Sequence, residues 1–417
     1  MENTTTRTLL KNKIVKILGL LLLVRLGLYI PVPGVDLDIF TQGQSLNPMF
    51  GFAKTLVGNS FLGVGCLGIL PYINASIIIQ IITPIFPKLE KLQKEEGELG
   101  RQQLNRYIRY LTFLWSCVLS IGVAFFLIKP LSFDWNLFLA LKIIISLITG
   151  SMLSMWFAEL ITEESLGNGS SMIIFINIVG GIPNNINNLL NTISQNSLSQ
   201  SAATVFQSIL IYLFTVLIII VFQDAFKKIN VVSAKQLITQ DESSLQNSFI
   251  PLKLNQGGIM PLVFSSTVAL VLVYPVQLLL SNLLIGNPGI AATILTVYSF
   301  LINLALVIFF SCFYVSLVLK PNDMAENLGK MAYNVPGIRP GKDTANYLEK
   351  TIVRLAFIGG VFLAFLAFFP FLVGNLLKIT LFKNLTSLLI LIGVVTDTTS
   401  QIRGYLISTR YEDFKKT

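Results

Sequence analysis

The run FLGVGCLGILPYINASIIIQ, residues 61–80, is apolar enough to sit in lipid, yet it carries Gly63, Gly65, Gly68 and Pro71 in close succession. Asn74, Ser76 and Gln80 follow inside what ought to be an uninterrupted apolar helix. Within a bilayer, backbone that leaves the helix survives only where protein or water satisfies its polar groups. The segment therefore has to face an internal cavity rather than lipid.

The remainder of the chain agrees that lipid is the solvent. Of 417 residues 53% are hydrophobic and only 12% charged, with a mean hydropathy of +0.72. No soluble fold hides that much apolar surface. Ten windows reach spanning length: about 14–33, 70–87, 108–128, 137–157, 169–187, 204–223, 259–281, 294–319, 352–373 and 384–402. Their length predicts helices, since a barrel shows short alternating segments.

Charge sets the orientation. With both termini on one side, 23 of the 30 Lys and Arg fall in the loops of that face, whereas the other face holds Lys54, Lys129, Lys378 and Lys383. This is a positive-inside signal, so both ends are expected on the cytosolic or stromal side. The net charge of +9 is thereby explained as topology. The basic, apolar start has no small-residue cleavage site and Arg25 interrupts it, so it reads as a retained first span.

Enzyme chemistry finds little support. Histidine is absent, and Cys66, Cys117 and Cys312 are odd in number and lie in apolar segments. Neither a metal-ligand spacing nor a cofactor motif is present. No cofactor and no metal are expected. Four ionisable residues in or beside spans, Arg25, Lys142, Glu159 and Asp397, are expected to pair locally or snorkel.

A second break lies in the other half of the chain. In FIPLKLNQGGIMPLVF, residues 249–264, Asn255, Gly257, Gly258 and Pro261 open the seventh window. Interrupted segments at corresponding positions suggest an inverted repeat with a pathway between its halves. A channel and a secondary transporter with a midplane solute site both remain open on these grounds. Charged or densely polar ligands at the breaks would favour the transporter; this chain supplies Ile, Val, Gly and a few amides there.

Five stretches in order, GILPYINASIIIQ (68–80), EEGELGRQQLNRYIRY (95–110), ELITEESLGNGSSMIIF (159–175), PLKLNQGGIMP (251–261) and NVPGIRPGKDTANYLEK (334–350), closely resemble the SecY family. The resemblance runs from about residue 9 to 414. It implies an all-α polytopic membrane protein: ten transmembrane helices in two pseudo-symmetric five-helix halves, 1–203 and 204–417, around a central pore. A short plug helix at about 54–67 closes the outer funnel, and the Gly/Pro break would free it to swing from span two. Unfolded polypeptides would cross through the pore, and hydrophobic segments would leave sideways into the bilayer.

By position in the family's motifs, the pore ring falls on Ile69, Ile73, Ser170, Ile174, Val263 and Ile390. Branched apolar groups suit a collar that dewets when empty and yields to a passing chain. Ser170 departs from the bulky apolar residue expected there. The lateral gate falls on Asn74, Ser76, Gln80 and Asn255. The cytosolic loops 224–258 and 320–351 carry the partner-binding residues. Arg339 leads, at the tip of a Pro/Gly-stiffened turn, with Lys342, Lys227, Lys228 and Lys235 beside it. FKKINVVSAKQL, residues 226–237, departs from the family's more basic pattern. Implied partners are SecE-type and SecG-type small membrane subunits, a SecA motor or a translating ribosome, the polypeptide itself and the bilayer. Residues 150–185 look most like plastid and cyanobacterial members, so a plastid thylakoid membrane is expected, with a bacterial plasma membrane as the alternative.

Overall fold

A computed structural model describes the chain except for residues 1, 35–62, 95, 130–134, 165–166, 184–197, 234–248, 259, 263, 266–267, 270–271, 274–275, 277–287, 378–384 and 417. Helices dominate: α1 (Glu2–Gly27), α2 (Leu70–Ile82), α3 (Pro87–Lys94), α4 (Gly97–Gly122), α5 (Leu137–Glu163), α6 (Gly169–Val179) and α7 (Leu198–Asp224). Strands β1 (Phe226–Asn230), β2 (Val232–Ser233) and β3 (Phe249–Lys253) follow. Then come α8 (Pro288–Val318), α9 (Pro321–Lys330), β4 (Tyr333–Asn334), α10 (Lys342–Leu377) and α11 (Leu385–Lys416). Among the described residues four helices are long and apolar enough to cross a membrane, or five if α2 and α3, bent by 107°, count as one span. Shorter apolar helical stretches are α6 and residues Ile209–Asp224 of α7.

The helices are inside out. On α5 the exposed side chains include Leu137, Phe138, Leu141, Ile145 and Trp156. Its buried face carries Ile143, Leu147 and Ile161 together with the small residues Ala140, Gly150, Ser151, Ser154 and Ala158. In water such an arrangement would expose apolar surface at about 25 cal/mol per Å²; against lipid it carries no penalty. Small residues inside let backbones approach, which is how membrane helices associate. On α4, Thr112, Ser116 and Ser120 form a buried stripe at four-residue spacing, and each hydroxyl donates to a carbonyl of its own preceding turn.

Packing divides the chain into two units, residues 1–202 with 394–417, and residues 203–393. In the first unit α1 is tied at its middle and near its C-terminal end. The Lys13 ammonium donates to the Glu164 carbonyl at 3.1 Å and Lys16 pairs with the Glu164 carboxylate, both at the C-terminal end of α5. In the last turn of α1, Arg25 donates to the Gly180 carbonyl at 3.1 Å, which closes α6. Cations at helix C-termini meet orphan carbonyls and the negative end of the dipole. The end of α5 meets the middle of α1, and the earlier Gly150 lies against Val64, which is bonded just past the end of α1, so α5 runs antiparallel to α1. Because α6 starts beside Thr162 and ends at Arg25, it runs parallel.

In the second unit, β1 pairs antiparallel with β3, from Phe226↔Lys253 to Asn230↔Phe249, and β2 pairs with β4. Ile229, Val231, Leu252, Val335, Leu348 and Ile352 form a core beneath these strands. The described parts of the two long loops thus fold together. A separate core joins Ile219, Phe222, Val307, Leu363, Leu389 and Ile392, with Phe222 and Phe362 stacked at 3.9 Å.

Candidate functional site

The break ahead of α2 is bound, not slack. Pro31 and Gly63 form an isolated antiparallel bridge. The Val64 amide donates to the Ile30 carbonyl at 2.8 Å, and that of Gly65 to the Gly27 carbonyl at 3.1 Å. The last carbonyls of α1, which have no partner within their own helix, are met by the non-helical stretch that most needs acceptors. Cys66 and Leu67 are buried in a core with Leu28, Ile143 and Leu147. Gly68 then turns the chain with φ of +50°, a left-handed conformation that L side chains resist, and its amide closes on the Gly65 carbonyl at 2.8 Å. Residues 63–65 of the expected plug are thus bonded to the end of α1 and the turn after it in this structure. Residues 54–62 lie outside the described region.

Glycines on neighbouring helices make room for this backbone. A Cβ at Gly150 of α5 would meet the Val64 carbonyl oxygen at 2.0 Å. The second unit repeats the device at its own break: a Cβ at Gly359 of α10 would meet the Leu254 carbonyl oxygen at 2.6 Å. In each case a carbonyl of the irregular segment lies against a glycine on a long apolar helix.

The expected ring residues fall as follows. Ile69 caps the N-terminus of α2, and Ile73 stands one turn on; both are buried, Ile73 to 1% exposure. Ser170 is buried near the N-terminus of α6, where the Asn168 side-chain oxygen accepts from its amide at 3.1 Å and its hydroxyl at 2.8 Å. The hydroxyl that departs from the family pattern is thus consumed in a helix cap. Ile174 is half-buried, whereas its neighbour Ile173 is fully packed. In the second unit Ile390 is half-buried between the core residues Leu389 and Ile392. Val263 lies outside the described residues, as does Lys235.

Of the expected gate residues, Asn74 is buried and Gln80 exposed. Ser76 spends its hydroxyl on the Ile73 carbonyl at 3.1 Å. Asn255 is buried, and its Oδ1 has no hydrogen-bond partner among the described residues. The span charges pair locally. Arg109 and Glu159 form a two-pronged bridge at 2.9 and 2.8 Å, Arg25 also lies over the Tyr29 ring, and Lys142 lies over Phe138. Asp397 is engaged as well.

On the stranded face, Arg339 and Lys342 are exposed while their backbone is held. The Thr344 hydroxyl donates to the Arg339 carbonyl at 2.8 Å, Ala345 closes on Gly341, and Gly337 and Gly341 take φ of +79° and +99°. Val335 is buried at the base. Lys227 and Lys228 are exposed on β1. The Lys228 ammonium lies 5.0 and 5.8 Å from the Phe249 and Phe226 ring centres, which are 6.3 Å apart and nearly parallel. Sequence reading missed this aromatic pair, because its members lie in strands far apart in the chain.

Asn177 was missed too. It shares a face of α6 with Ser170 and Ile174, at seven- and three-residue spacing, and a Cβ on Gly68 would come within 4.0 Å of its amide nitrogen. That approach brings the α6 face to the start of α2. An amide seven residues after Ser170 in an apolar run was the available signal.

Comparison with known proteins places this geometry. The SecY family model matches residues 64–399. The protein translocase subunit SecY of Emiliania huxleyi is 71% identical with full coverage of both chains, and that of Synechocystis sp. 38% identical over 98% of this chain and 94% of its own. A solved protein-conducting channel shares the fold with a TM-score of 0.63 at 16% identity, covering 93% of this chain and 90% of that one. The Sec61 channel of a canine ribosome–channel complex does so at 0.58 and 16%, covering 93% and 90%. The protein is thus a helical membrane protein of the protein-conducting-channel fold. It belongs to the SecY family.

Proposed function

We propose that this chain is the central channel subunit of a Sec-type protein translocase, moving unfolded polypeptides across a membrane and releasing hydrophobic segments sideways into it. The observation that carries the reading is the break at residues 63–70. The Val64, Gly65, Cys66, Gly68 and Leu70 amides are met by the end of α1, the turn after it and the stretch's own turns. Its residues are Gly, Val, Leu and Ile with the buried Cys66, which give a solute no charged or densely polar ligand and a threading chain no fixed partner. A solute carrier would need charged or dense polar groups there. Binding and passage, not covalent chemistry, is the task this supports.

Ten spans in two pseudo-symmetric halves, 1–203 and 204–417, follow from the ten apolar windows and from the carbonyl-on-glycine seats at Gly150 and Gly359, on the fourth window of each half. Ile69, Ile73, Ser170, Ile174, Val263 and Ile390 form the collar in this reading, and Asn74, Ser76, Gln80 and Asn255 the lateral gate. A plug would hinge ahead of Gly63, because residues 63–68 are tied down. Small SecE-type and SecG-type subunits would flank the channel. Arg339, Lys342, Lys227, Lys228 and Lys235 would dock a translating ribosome or a SecA motor, a guanidinium suiting phosphates or carboxylates alike. The ribosome–channel complex among the structural relatives supports the first.

Algal and cyanobacterial relatives support a thylakoid membrane. Both termini then lie in the stroma, as the charge asymmetry supports. Site-specific photo-crosslinking tests the whole. A chain arrested in transit labels probes at 69, 73, 174, 263 and 390, and leaves probes at the lipid-facing Phe113 and Leu141 unlabelled; equal labelling of both sets overturns the reading.

A further inference from the structure

We propose that Asn177 sets how readily this channel opens, and so how strictly it selects the signal segments that open it; the inference rests on the channel reading above. The Oδ1 atom of Asn177 is buried without a hydrogen-bond partner among the described residues. The nearby Gly68 amide closes on the Gly65 carbonyl instead. The end of α6, one turn beyond, is held by Arg25, which donates to the Gly180 carbonyl.

A buried carbonyl without a donor destabilises the arrangement that buries it, relative to any arrangement in which water or a peptide amide reaches it. Here the burying arrangement is the seating of the α6 face beside the Gly68 turn, where the amide nitrogen stands 4.0 Å from the site of a glycine Cβ. Parting these two stretches, as the opening of a collar containing Ile69 and Ile174 requires, wets the amide. Asn177 is therefore a standing bias against the shut arrangement. An apolar residue in its place removes that bias.

The test compares Asn177→Ala and Asn177→Leu with the unsubstituted chain in a reconstituted translocase, using one precursor with a strong signal segment and one with a weakened segment. Both substitutions are expected to lower the weak-to-strong export ratio by about fivefold or more, the low end for one unsatisfied buried group. Both should also unfold at the same or a higher temperature. A packing role predicts the reverse for Ala, since a cavity loosens the shut arrangement and raises weak-signal export. An unchanged ratio, a raised ratio for Ala, or a variant too unstable to accumulate overturns the proposal and leaves the channel reading intact. An unsubstituted chain that exports neither precursor overturns both.

Discussion

The carbonyl oxygen of Val64 lies where a side chain on Gly150 would stand, 2.0 Å from its Cβ position. No rotamer relieves such a clash, because both partners are backbone. Gly150→Ala is expected to destabilise the first unit by about 1–3 kcal/mol, the range for overpacking a fitted core. Gly359→Ala should do the same to the second, where the Leu254 carbonyl has 2.6 Å. Gly19→Ala, on α1 with nothing within 4 Å, is the control, expected to be neutral or slightly stabilising. Thermal unfolding in a fixed detergent distinguishes the three; equal tolerance at all three positions would show that the break is not seated as described.

Arg25 anchors the C-terminal end of α6. Its guanidinium donates to the Gly180 carbonyl at 3.1 Å and packs on Tyr29. Arg25→Leu keeps an apolar side chain in the span but leaves that carbonyl without its donor. The expected loss is about 1.5–3 kcal/mol, as for a hydrogen bond to a charged group. An unchanged unfolding midpoint would mean that Arg25 simply snorkels to solvent.

The Glu164 carboxyl is held below the usual range, first by its hydrogen bond from Lys16 and then by the charges of Lys16 and Lys13, against an upward push from burial. A carboxyl depressed in the folded state contributes stability that is fully present above its ordinary value of 4.5 and is lost as pH falls through the lowered one. Lys16 is well exposed, so solvent and salt screen the pair and its contribution is small. Acid titration of the unfolding midpoint is expected to show a shallow decline below that value. Glu164→Gln should flatten it, and an identical decline in the variant removes Glu164 as the source.

Arg339→Glu should fold and insert normally, because what the loop needs from this residue is its backbone carbonyl, held by Thr344, while the side chain is exposed. Translocation is nevertheless expected to fall about thirtyfold or more, equivalent to the roughly 2 kcal/mol lost when one partner of a buried charge pair is removed. Export at the normal rate by the substituted chain would take Arg339 out of the docking surface.

Lys227→Gln with Lys228→Gln tests what docks on the stranded face. If the partner presents RNA phosphates, the double variant binds ribosomes more weakly and with a shallower dependence on salt, by about one unit of slope for each phosphate that is no longer neutralised. Weaker binding with an unchanged slope would point to a protein partner instead.

Much of this was legible in the one-dimensional text. Membrane solvent and the position of both breaks follow from apolar run length and from Gly and Pro, and where Lys and Arg fall carries the expectation of sidedness. Each of these is a sum over neighbouring residues, which a bilayer reads much as a window along the chain does. Family resemblance supplied the candidate collar and docking residues. It did not show that Val64 and Gly65 are bonded to the end of α1 and the turn after it, at Gly27 and Ile30, because those acceptors lie far back along the chain.

Spatial approach alone decided the rest. That Ser170 turns its hydroxyl into its own cap, that Lys228 lies against rings from two separate strands, that Gly150 receives a carbonyl while Gly19 receives nothing, and that the Oδ1 of Asn177 is buried without a donor among the described residues are facts about which atoms meet. A glycine is the same letter in open space as under a backbone oxygen. Partition into lipid is additive along a chain and can be read in order, whereas steric exclusion and hydrogen-bond satisfaction depend on pairs of atoms that only folding brings within a few ångströms.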